Sequence, residues 1–146
     1  MKTKRAILVA LALYLTTFII GIVLTIIAKV SLASPQEIPT TYWVITIVVT
    51  VLLTTLASIW YFNKPGISRN IKEGFKLGIT FIIVGLIIDL IFFIPLFITS
   101  GASLLIEYYS TPSFYITLIL VVMSSVFIGS RSQSKIEVKT IKKIKK

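Results

Sequence analysis

Asp89 is the one ionisable residue in the apolar run Leu77–Ile98. A carboxyl group inside such a run can bind a cation or a proton, donate a hydrogen bond as the neutral acid, or pair with a base. Candidate partners are few. Thr46, Thr50 and Thr54 recur at steps of four in a second apolar run, with Ser58 continuing the stripe. Thr50 lies eight residues in from Tyr42 and Asp89 nine in from Ile98, about 12–13 Å of helical rise in each case, so the two are expected at one level. Lys29 closes the first run, and its long stem would carry an ammonium group toward the carboxylate. Asp89, Thr50, Thr46, Thr54 and Lys29 therefore form the candidate intramembrane polar site.

Other chemistry is excluded by composition. The chain has no cysteine and no histidine among its 146 residues. Disulfides, thiolate or imidazole metal sites and Cys or His nucleophiles are ruled out. No His-Glu-x-x-His, no Gly-x-Ser-x-Gly, no paired Asp motifs and no Gly-rich phosphate loop occurs. One membrane carboxyl cannot serve as both acid and base. The expectation is a protein that is not an enzyme and that holds no cofactor or metal.

The elements that position Asp89 follow from hydropathy. The chain is 56% hydrophobic with a mean hydropathy of +0.99, more apolar surface than a core of this size can hide. Four runs, Ala6–Ala28, Tyr42–Phe62, Leu77–Ile98 and about Ser113–Ser130, approach or exceed the roughly 20 residues needed to cross hydrocarbon as a helix. Lipid leaves no partner for free backbone groups, and the alternation of barrel strands is missing, so helices are required. The fold class is an all-α integral membrane protein, a bundle of four transmembrane helices over about 6–29, 40–62, 72–98 and 112–130. Residues 1–130 form that domain and residues 131–146 a basic tail.

Fourteen of the fifteen Lys and Arg residues lie in the N-terminus, the loop Asn63–Lys76 and the tail from Arg131. The positive-inside rule places both termini in the cytoplasm of a multi-pass cell-membrane protein, in one orientation. A cleaved signal is the competing reading of the first run, with Ser31 and Ala33 before Ser34 imitating a cleavage site, but the run is long for an h-region. Tyr42, Trp43, Trp60 and Tyr61 mark the ends of the second helix. Ala102–Ser110 reads as a short interfacial helix, and Pro95 as a kink in the third span.

Small residues mark packing faces. Gly74, Gly78, Gly85 and Asp89 fall within about 60° on a helical wheel, which turns Asp89 into the bundle and lets a neighbouring backbone approach. Ala10 and Gly21 share one side of the first helix. Val138, Ile141 and Ile144 gather opposite most of the lysines of Lys135–Lys146, a pattern suited to anionic lipid headgroups, the alternative being a disordered tail that only fixes topology. The basic residues sit at run ends and not along one face, so nucleic acid is not an expected partner. The leading functional expectation is a non-enzymatic accessory, assembly or helix-packing subunit, partnered by lipid and by a second copy or another membrane protein. The alternative is a small transporter or channel in which Asp89 is the proton or cation site.

Overall fold

The computed structural model describes residues 1–29, 39–100 and 109–144, and side chains over 1–29, 39–92 and 109–131. Four long helices occupy them: α1 (Thr3–Ala28), α2 (Thr40–Phe62), α3 (Ile71–Ser100) and α4 (Pro112–Ile144). All four are long and apolar enough to cross a membrane. Most of the predicted interfacial helix lies outside the described residues, although Tyr109 and Ser110 have helical backbone. Likewise α3 continues as helix through Pro95 to Ser100.

The helix ends follow local chemistry. Pro39 caps α2 and Pro112 opens α4, positions where a missing N–H loses no helical bond. Asn70 starts α3, its side chain accepting the Glu73 backbone N–H at 2.8 Å. The α2–α3 turn contains Gly66 at φ 77°, a left-handed conformation that glycine adopts without strain. Past residue 130, α4 runs unbroken to Ile144, so the basic tail is a helical extension of the fourth candidate span.

The helices form a ring in the order α1, α2, α4, α3. Extensive packing joins α1 to α2 and α3, and α4 to α2 and α3. The tightest seam is between α3 and α4. A Cβ added at Gly74 would lie 2.6 Å from the Ser125 carbonyl oxygen, and one at Gly78 2.8 Å from Val122 Cα. From the other side, a Cβ at Gly129 would lie 2.8 Å from the Asn70 carbonyl oxygen and 3.1 Å from Gly74 Cα. These are backbone atoms, which cannot swing aside.

Burial is concentrated at the same end. Ala6, Val9 and Ala10 of α1, Tyr61 and Phe62 of α2, Leu77 and Phe81 of α3 and Val121 of α4 make the apolar core. Thr54, Ser58 and Ser125 are buried with them, and Ser58 donates to Ser125 across the α2–α4 contact at 3.2 Å. Away from this end, large side chains such as Ile19, Ile26, Leu52 and Phe92 face outward. Such a surface would be aggregation-prone in water and is ordinary against acyl chains.

The seam generates a direct test. Gly74→Ala, Gly78→Ala and Gly129→Ala should each lose about 1–3 kcal/mol by overpacking against backbone. Gly21→Ala should stay within about 0.5 kcal/mol, because its Cβ would meet nothing within 4 Å. Thermal unfolding of the detergent-solubilised protein reads both, and equal shifts at Gly21 and Gly74 would remove the seam as the packing contact.

Candidate functional site

Two carboxylates are held by tyrosine, at different heights of the bundle. The deeper is Asp89, half-buried on α3. Tyr14 of α1 donates its hydroxyl to Asp89 Oδ1 at 2.5 Å, and Tyr109, just ahead of α4, donates to Oδ2 at 3.4 Å. Each carboxylate oxygen thus faces a hydroxyl from a different element. Aromatic rings surround the group: Tyr14 stacks on Phe18, Phe18 on Phe92, and Tyr109 meets Phe114 edge-on. Gly85, one turn before Asp89, leaves room for the Tyr14 ring, whose Cδ2 would sit 3.8 Å from an added Cβ.

The partners expected from sequence are elsewhere. Thr46, Thr50 and Thr54 belong to α2, which packs on α1 and α4, whereas Asp89 is on α3, across the ring. Thr46 donates back to the Tyr42 carbonyl at 2.9 Å, the usual resort of a hydroxyl in an apolar helix. Thr50 is half-buried. Thr54 is fully buried, its Oγ1 without a partner among the described residues. Lys29 ends α1 as an exposed left-handed cap. It lies fifteen residues beyond Tyr14, about 22 Å of rise, too far for its stem to reach a carboxylate bonded to Tyr14. The expected Asp89–Thr50–Lys29 constellation is therefore replaced by Asp89–Tyr14–Tyr109.

The packing residues divide along the chain. Gly74 and Gly78 seat α4, while Gly85 and Asp89 meet Tyr14 of α1. A single stripe of α3 therefore serves two neighbours at different heights. Ala10 is buried in the core. Gly21 has open space at its Cβ position and seats no helix.

The second carboxylate, Glu73, is not singled out by the sequence, where it falls in the basic stretch Asn63–Lys76. Glu73 is buried in the first turn of α3. Its Oε1 accepts from Tyr61 at 2.9 Å and lies 3.2 Å from the Met1 amino group. Tyr61 Oη also accepts the Lys2 backbone N–H at 3.3 Å. Nearby, Arg69 donates to the Phe62 carbonyl at 3.0 Å and Arg5 to the Trp60 carbonyl at 2.6 Å. Two guanidinium groups thus satisfy carbonyls at the negative end of α2. The available signal was Asn70-x-x-Glu73, the spacing of a capping box.

Among the described residues, no three His, Cys, Asp or Glu side chains converge on a point where a metal ion would sit. Two open apolar grooves among the described residues are lined by other side chains: one by Val9, Leu13 and Trp60 among others, the second by Ile82, Leu118 and Met123 among others. No protein-family model matches the chain, and no curated protein or solved structure resembles it.

A double-mutant cycle on Tyr14→Phe and Asp89→Asn measures the central contact. The expected coupling is about 0.6–1.7 kcal/mol, the range of interhelical hydrogen bonds in membranes, read from thermal or denaturant unfolding. Strict additivity would show that the two side chains stabilise the bundle independently.

Proposed function

We propose that the chain is a non-enzymatic multi-pass protein of the cell membrane, with both termini cytoplasmic, that acts through helix–helix contact as an accessory or assembly subunit. The observation that carries this reading is the state of Asp89. Both of its oxygens face tyrosine hydroxyls from other elements, so the carboxylate works as a cross-tie between α1, α3 and the segment leading into α4. The outward apolar flanks of the same helices supply surface for lipid and for a second copy or another membrane protein.

A second reading has one observation in its favour. Asp89 is only half-buried and its contact with Tyr109 is long at 3.4 Å, which leaves that oxygen the looser of the two. On this reading Asp89 is the proton or cation site of a small transporter or channel.

Flux measurements separate the two. Purified protein in liposomes, given a proton or monovalent-cation gradient, should behave as empty liposomes do, and Asp89→Asn should change stability without changing flux. A flux that Asp89→Asn abolishes in a folded protein would overturn the subunit reading and establish the transporter.

Orientation has its own test, made clean by the absence of native cysteine. Ser68→Cys, in the turn that meets the N-terminal end, should resist a membrane-impermeant maleimide applied to intact cells, whereas Ser110→Cys should react. The reverse pattern would invert the topology.

A further inference from the structure

The groove between α1 and α2 is lined by Val9, Ala12, Leu13 and Thr16 on one side and by Ala57 and Trp60 on the other. It is open to the surroundings and holds about 260 Å³, below the range of about 300–1,000 Å³ typical of compact ligand pockets. An open apolar trough of this size suits one acyl chain. Its α1 side follows a helical stripe, and the next residue of that stripe toward the N-terminus, one turn before Val9, is Arg5. Arg5 lies over the Trp60 ring, with its guanidinium carbon 5.7 Å from the ring centroid. Trp60 therefore forms both the end of the groove and the shelf beneath the cation.

Arg5 is incompletely matched within the protein. Among the described residues, the acceptor it finds is the Trp60 carbonyl at 2.6 Å, while its Nε is buried without one. A guanidinium group presents five N–H donors; with Nε buried and one Nη2 hydrogen on Trp60, the remaining Nη hydrogens are left for an acceptor from outside. The buried acid at this end does not supply it, because Glu73 is taken by Tyr61 and the Met1 amino group. The second groove offers a contrast: its lining of Ile82, Leu118, Ile119, Val122 and Met123 carries no ionisable group.

We infer that the α1–α2 groove is a binding site for an anionic phospholipid, with one acyl chain along Val9, Ala12, Leu13 and Ala57 and the headgroup phosphate on Arg5 above Trp60. The inference rests on the membrane-spanning reading given above. Arginine matches phosphate oxygens in pairs, and anionic lipid is enriched in the cytoplasmic leaflet, where the proposed orientation puts this end.

Native mass spectrometry of the full chain in detergent tests the site, with phosphatidylglycerol and phosphatidylcholine of identical chains as probes. The wild-type protein should retain phosphatidylglycerol preferentially. Arg5→Gln should lower that preference about fivefold, the equivalent of one interfacial cation at about 1 kcal/mol. Arg5→Lys should keep part of it, and Ala12→Leu, which fills the groove, should reduce retention of the anionic lipid. Lys72→Gln, an exposed cation at the same end, should leave it unchanged. Equal retention of both lipids, an unaltered preference in Arg5→Gln, or the same loss in Lys72→Gln overturns the inference, as does a dimer that buries the groove without lipid. Carbonate extraction of the source membranes keeps the two readings apart. A chain washed off loses the spanning reading and the lipid site together, whereas a retained chain without selectivity loses the lipid site alone.

Discussion

Gly74, Gly78 and Gly129 bring the backbones of α3 and α4 so close that a single methyl group at any of them would collide with main chain. The rest of the bundle is arranged around this contact. With α4 seated on one flank of α3, the flank farther along the helix is left to α1, and the ring order α1, α2, α4, α3 results. That order puts Tyr14 beside Asp89 and removes the threonines of α2 from its reach. In an apolar solvent, burying hydrocarbon side chains against one another gives helices little reason to associate. Close backbone approach and a few buried polar links have to do it instead. Among the described residues these links include Ser58–Ser125, Tyr61–Glu73, Tyr14–Asp89 and Thr25–Tyr42.

The two acids illustrate how differently one residue type is used by depth. Glu73 lies beside the Met1 ammonium in a network that ties α1, α2 and α3 together near the basic end. Asp89 has tyrosine hydroxyls as its protein donors. A hydroxyl stabilises either protonation state of a carboxyl group, since it donates to the anion and can accept from the acid. A tyrosine pair is thus a suitable clamp for a group whose charge is costly where it stands.

The four helices were legible because long apolar runs leave the backbone one solution, and Pro39, Pro112 and the aromatic ends marked their limits. The face of Asp89 was legible too: helical spacing placed it with Gly74, Gly78 and Gly85, and all four point into the bundle. Its partners were not. Depth counted from run ends put Thr50 level with Asp89, but level says nothing about which helices are neighbours, and neighbourhood is decided by the Gly129 seam on α4. Tyr109 read as part of an interfacial segment, and neither it nor Tyr14 stands out in sequence until the ring order is known. Gly21 shows the converse. It shares a helical side with Ala10, yet nothing lies within 4 Å of its Cβ position.

The uneven distribution of burial has a mechanical consequence. Buried side chains lie between Ala6 and Ala10 on α1, from Thr54 onward on α2, up to Phe81 on α3 and from Val121 onward on α4. The molecule is accordingly graded in stiffness, rigid where the glycine seam and the Glu73 network meet, and compliant toward the opposite face. On the membrane-spanning reading, the compliant half is the part that would splay when bilayer thickness or lateral pressure changes. Across that half the described ties are Tyr14–Asp89 between α1 and α3, Tyr109–Asp89, and Thr25–Tyr42 between α1 and α2 at 2.8 Å, and together they limit how far the far ends part while the seam holds the near ends together.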